Sequence, residues 1–330
     1  MDNLTHTLFG FALAKTGLER TTPGATAALL IGANFPDIDL VTLLWGSLSY
    51  LKYHRGITHS LAGIVVAALI IGGVLHFAYR RRLSATPQPR FWALCVVALA
   101  GVGSHFLLDY TNSYGVRPFL PFSRRWYAGD LVFVIDPWML ALLFVGLGFP
   151  FLLRLVQQEI GAKPTSYGVG ACFSLGLVVA FWGCKFVSHQ RAIEELRQQT
   201  YSSGSVLRAG AFPQFLNPFG WYGVVETETA YHLVLAGWAP LRGSFERQRV
   251  RVLRKHSEMR IVQSATKAEQ ARVFLDFARY PLIQVNPAPQ GYEVVARDLR
   301  FDFASQFRTA FLCTVLLDKN LNVMSAHFRY

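Results

Sequence analysis

Four apolar segments, residues 57–79, 91–109, 132–153 and 166–187, constrain this chain more than any other feature. At ~1.5 Å per residue each is about long enough to cross a ~30 Å hydrocarbon core. Lipid offers no partner for backbone N–H and C=O groups, so such segments must be helices. Two further apolar stretches lie upstream, 4–18 and 23–45, separated by Glu19-Arg20-Thr21-Thr22-Pro23-Gly24. They read as a helical hairpin. Its first arm is shorter than the ~20 residues a span needs, and its second is interrupted by Asn34, Asp37 and Asp39, so a partly embedded or re-entrant hairpin is expected.

Beyond Gln190 the periodicity changes. Residues 223–227, 231–235, 250–253 and 314–317 are β-branched or alternating, several of them bounded by turn residues, and 266–279 carries one helical period. The expected architecture is therefore an α-helical membrane domain over residues 1–190, made of the hairpin and about four transmembrane helices, followed by a soluble, mostly β (α+β) domain over 191–330. Composition agrees: 52% of residues are hydrophobic and 16% charged, too apolar for an ordinary soluble protein. The net charge of +12 is scattered rather than gathered on one face, which argues for loops beside anionic lipid and against nucleic acid. Cys95, Cys172, Cys184 and Cys313 form no CxxC pair, so neither a disulfide framework nor a thiolate site is expected. The N-terminus lacks the basic region and cleavage pattern of a secretory signal and is expected to stay in the mature protein.

Short loops with Lys15, Arg20, Arg80, Arg81, Arg82, Arg90, Arg154 and Lys163 are expected on the cytoplasmic side. The His54 region, the 110–131 loop and the C-terminal domain then face the other side, although Arg117, Arg124 and Arg125 run against that rule.

Chemistry concentrates in His54-Arg55-Gly56-Ile57-Thr58-His59-Ser60, which runs directly into the first span. If that span enters from the outer side, the next one delivers His105 and Asp109 to the same side. These two stand at i, i+4 and can offer a nitrogen and an oxygen to one ion. Asp37 and Asp39 follow Pro36 and project together if extended, and His6 joins them if the hairpin starts on the same side. Asp130 and Asp136 lie at a similar depth. Bland readings exist for several of these. Asp37 and Asp39 serve equally as helix caps, and Asp136 before Pro137 reads as a helix start. His76, His189, His232, His256 and His327 read as structural histidines. For His54, His59, His105 and Asp109 the functional reading prevails, because ionisable groups at a membrane boundary are costly to keep.

The ordered set Thr5-His6-Thr7, Pro36-Asp37-Ile38-Asp39, His54 to Ser60 and His105-Phe106-Leu107-Leu108-Asp109 resembles the bacterial inner-membrane, LexA-regulated metal-dependent hydrolases. It is similar, more loosely, to the zinc-dependent phospholipase C family. The resemblance covers about residues 1–150 and implies a hydrolase and a divalent metal. Imidazole and carboxylate donors suit Zn²⁺ first, with Mn²⁺ or Fe²⁺ behind it. The expected metal residues are His6, Asp37, His54, His59, His105 and Asp109. With Asp39 they outnumber the needs of one tetrahedral ion, so either two ions bind or some residues orient the ligands. Asp39 or Asp136 would be the general base. Arg117, in a loop over 114–127 with Arg124, Arg125 and several aromatic residues, would grip an anionic group. The expected activity is hydrolysis at the membrane surface, of a phosphodiester or lipid ester, with membrane lipid as partner and a lipid or phosphate-containing substrate. The competing expectation is a non-catalytic membrane scaffold, with a structural metal site and a partner-binding β domain.

Overall fold

Asp2 begins the fold by accepting hydrogen bonds from the Thr5 N–H (2.9 Å) and hydroxyl (2.6 Å), the capping that launches α1 (Asn3–Lys15). The computed structural model describes residues 1–82, 87–161, 167–239, 244–255, 259–302 and 311–329. After a tight turn comes α2 (Ala25–Gly32), which gives way to a 3₁₀ segment, Phe35–Trp45. The change has a local cause. The Asn34 side chain donates back to the Leu30 carbonyl (2.9 Å), and Pro36 disfavours α-helical geometry in the residue before it. A short α3 (Ser47–Tyr53) and a 3₁₀ turn, Ile57–His59, lead into α4 (Leu61–Arg82). Then follow α5 (Phe91–Thr111), α6 (Pro137–Glu159) and α7 (Tyr167–Arg197).

Among the described residues, five stretches are long and apolar enough to cross a membrane: Ala25–Trp45, Leu61–Arg81, Phe91–Thr111, Pro137–Glu159 and Tyr167–Arg197. Four were expected. The fifth is the second arm of the hairpin, whose polar residues turn inward to neighbouring helices and leave Ile31, Ile38 and Leu44 exposed outside. The third expected span starts later than its hydropathy suggests, because Asp136 accepts from the Trp138 and Met139 N–H groups and Pro137 occupies the first helical position. α7 runs past its apolar part to Arg197.

Two compact units form, one of Met1–Asp39 with Arg55–Phe186, the other of Leu40–His54 with Val187–Tyr330. The short segment 40–54 belongs with the C-terminal unit, where α3 packs against α9 (Glu269–Phe277) and β8 (Val323–Arg329).

In the first unit small residues let helix backbones touch. A Cβ on Gly101 would meet the Leu29 carbonyl oxygen at 2.7 Å, and one on Gly32 would meet the Ala98 oxygen at 2.8 Å. This close approach of α2 and α5 stands in for the hydrophobic drive that lipid cannot supply. Leu29, Leu94, Ala98 and Val102 are fully buried beside it.

The second unit holds two four-stranded antiparallel meanders. The first runs β1 (Val206–Pro213), β2 (Gly220–Thr227), β3 (Ala230–Ala239) and β4 (Ser244–Arg254). The end of α7 lies on it: Trp221 is fully buried and donates to the Ser188 hydroxyl (2.9 Å), while the His189 ring bonds the Ala211 carbonyl (3.0 Å). The second runs β5 (Pro281–Ala288), β6 (Gly291–Asp298), β7 (Leu312–Asp318) and β8. It carries two helices rather than the one expected, α8 (Met259–Ala265) and α9. His189 and His232 hold structural positions, the latter 2.5 Å from the Ser203 hydroxyl, whereas His256 and Lys163 lie outside the described residues.

Candidate metal centre

α4 and α5 run antiparallel, so the start of one and the end of the other lie at the same level. Just before α4, Arg55 adopts a left-handed backbone conformation (φ 52°), which an L-residue tolerates only when held. Here it is held. Its N–H donates to Asp39 Oδ2 (3.0 Å), and its guanidinium reaches Asp109 Oδ1 (2.9 Å) and Asn112 Oδ1 (2.9 Å). The turn that follows presents His59 toward α5.

Four donor atoms converge there: Asp37 Oδ1, His59 Nε2, His105 Nε2 and Asp109 Oδ2, all within 4.8 Å of one another. His59 Nε2 lies 3.0 Å from His105 Nε2 and 3.1 Å from Asp109 Oδ2, and His105 Nε2 lies 3.4 Å from Asp109 Oδ2. Asp37 Oδ1 stands slightly farther off, 3.5 Å from His105 and 3.7 Å from His59. A tetrahedral ion with bonds of ~2.0–2.1 Å needs its ligands about 3.3–3.4 Å apart, which these separations bracket.

The ring orientations support the same conclusion. His105 Nδ1 faces the Ala33 carbonyl (2.7 Å), and a carbonyl can only accept, so Nδ1 carries the proton and the Nε2 lone pair points inward. His59 Nδ1 faces Asp39 Oδ2 (3.3 Å), the carboxylate–histidine arrangement that orients a metal ligand. The Thr58 hydroxyl donates to the same oxygen (2.7 Å). Two imidazole lone pairs and two carboxylates, nearly or wholly buried, therefore face one point, and Asp109 Oδ2 has no hydrogen-bond donor among the described residues. Such a concentration of acceptors could hold a cation. The residues present fit a divalent metal.

Of the expected metal residues, the structure brings Asp37, His59, His105 and Asp109 together. His6 is buried beside it, stacked on His105 with ring centroids 3.8 Å apart and its Nε2 3.4 Å from Asp109 Oδ1. Burial, reinforced by the nearby α-amino group and His105, pushes the His6 imidazole well below its ordinary pKa and keeps it neutral. Met1 places its α-amino group against the same Oδ1. His54 ends α3, stacked on Tyr50 at 4.4 Å, and belongs to the second unit.

The expected catalytic residues hold other positions. Asp39 orients His59 and takes three donors on one oxygen, and Asp136 is engaged as the cap of α6 by three backbone N–H groups. Arg117 is buried, its guanidinium 4.5 Å from the Trp126 ring, while Arg124 and Arg125 are exposed. Asp130 is buried with φ 56°. The residue that sequence reasoning left out of the site is Arg55, although its signal was present: a guanidinium set between two histidines in a single turn.

A family profile described as YdjM inner membrane protein matches residues 1–192, and one described as the YfhP C-terminal alpha/beta plait domain matches 260–330. Among curated proteins, the uncharacterized protein YfhP of Bacillus subtilis (strain 168) is 24% identical over 337 aligned residues, covering 99% of this chain and 94% of the relative. No solved structure matches. Neither family description names an activity, and these matches support neither hydrolysis nor the likeness to phospholipase C. With more than half its length matched and five stretches fit to cross a bilayer, this chain is an inner-membrane protein that belongs to the YdjM family.

Proposed function

We propose that the protein is a membrane-bound, metal-dependent hydrolase, acting on an ester or phosphodiester at the membrane surface. One observation carries the reading: three donors, His59, His105 and Asp109, are tightly grouped and fully buried, whereas the fourth, Asp37, stands farther off and alone of the four keeps some exposure (9%). Three firm ligands and a yielding position on the open side match the catalytic pattern, while structural zinc sites are closed and rich in thiolate. A bound divalent ion supplies Lewis acidity and a water acidified to a pKa near ~7.

The chain's own residues prepare that chemistry. Arg55 neutralises Asp109 from behind, Asp39 and the Ala33 carbonyl fix the two imidazoles, and the surrounding helices exclude bulk water from all but the Asp37 side. The loop over 114–127 lies close by, since the Leu61 N–H at the start of α4 donates to the Pro118 carbonyl (2.9 Å). Its exposed Arg124 and Arg125 favour an anionic substrate. Glutamine at either position should lower turnover of phosphodiesters but not of neutral esters. A non-catalytic scaffold is favoured by one fact only, that Asp37 can complete a closed set of four.

The test is hydrolysis of ester and phosphodiester panels by purified protein, after chelation and after Zn²⁺ or Mn²⁺ is restored. The proposal expects activity that vanishes and returns with the metal. Cleavage of nothing, together with a large fall in melting temperature on chelation, would support the scaffold.

A further inference from the structure

Exposure at the cage is confined to Asp37, and Asp37 lies in a shallow, widely open groove with about 550 Å³ of space. The groove is lined by Leu30, Ile31, Phe35 and Ile38, with the amides Asn3 and Asn34 at its polar positions. The same four apolar residues belong to Ala25–Trp45, a stretch long and apolar enough to cross a bilayer. Ile31 is 44% exposed and Ile38 57%, and with this stretch across a bilayer the medium beside them would be acyl chain.

We infer that the acyl chain of a membrane lipid occupies this groove, so that the substrate reaches the cage laterally from the bilayer with its polar linkage at Asp37. The inference rests on the hydrolase reading for its chemistry, but the groove stands on its own geometry. Two features select this occupant. A water-soluble substrate would have no use for four apolar side chains leading to a buried carboxylate, and burying each methylene of a chain against them favours a longer chain over a shorter one. The Asn34 side chain is already engaged, accepting from Thr7 (3.2 Å) and donating to Leu30 (2.9 Å), so the polar edge is preorganised rather than mobile.

Two measurements test it. In the first, esters and phosphodiesters with the same head but short or long chains are compared on wild type and on an Ile31→Gln, Ile38→Gln variant whose folding is checked by its melting temperature. The wild type should favour long chains in kcat/KM by a factor of about ten or more. The variant should lose that preference, its long-chain kcat/KM falling toward its short-chain value. Hydrolysis indifferent to chain length overturns the groove and leaves the hydrolase standing. In the second, a phosphatidylglycerol with a diazirine in its acyl chain is added to detergent-purified protein at one lipid per chain and photolysed. Crosslinks should concentrate on 30–38 relative to the exposed face of α4 around Val74. An even spread overturns the inference even if substrates are cleaved, whereas concentrated crosslinks without any hydrolysis keep the groove and end the hydrolase reading.

Discussion

Asp39 shows how much depends on a residue that need not touch the ion. Its Oδ2 faces the Arg55 N–H, the Thr58 hydroxyl and His59 Nδ1, so it fixes the turn that brings His59 to the cage and the tautomer that His59 presents. Asn at this position keeps the shape but can turn an amide N–H toward Nδ1 and reverse the tautomer. Asp39→Asn should therefore lower metal affinity about 10–100-fold while the protein still folds, as measured by competition with a chelating indicator. Unchanged affinity would remove Asp39 from its orienting role. The cage was largely legible in the sequence because it obeys spacing: His105 and Asp109 meet on one helix face, and HRGITHS supplies His59 at the mouth of the adjacent helix. Which of seven candidates bind and which support was not legible. His6 and His105 stack through contacts between residues far apart in the chain, and nothing in local sequence separates a ligand from a ring lying flat against one.

At the scale of elements, the cage exists because α2 approaches α5 closely enough for Asp37 to reach His105. Gly101 permits that approach. A Leu there would press on the Leu29 carbonyl and force the helices apart, so Gly101→Leu should destabilise the protein by about 1–3 kcal/mol and weaken metal binding together. Gly103 supplies the control on the same helix. A Cβ there meets nothing within 4 Å, and Gly103→Ala should leave both properties unchanged. Thermal melts with and without chelator read out each variant. Hydropathy marked four spans readily, since length and apolarity are properties of the segment alone. It undervalued 25–45, because Asn34, Asp37 and Asp39 look like interruptions until their partners in other elements are known. Likewise α8 carries too few residues for a periodic signal, and only packing on β5, β6 and β7 defines it.

At the scale of the whole molecule, we propose that α4 to α7 each cross the bilayer, in which case four crossings would return the chain after Arg197 to the side of His59. We propose the periplasmic side for both, on the strength of the basic loops opposite. A cysteine introduced near Ser203, at the exposed Ser202, in a chain whose native cysteines are replaced, should react with an impermeant thiol reagent on intact spheroplasts. Reaction only after lysis would put that unit in the cytoplasm. The most direct test of the account is elemental analysis of the purified protein, because everything proposed depends on a cation among Asp37, His59, His105 and Asp109. Wild type should carry about one equivalent of a divalent transition metal per chain, and a folded His105→Ala, Asp109→Ala variant should fall to background. Full metal content in that variant, or none in wild type purified without chelator and offered Zn²⁺, Mn²⁺ and Fe²⁺, would contradict it.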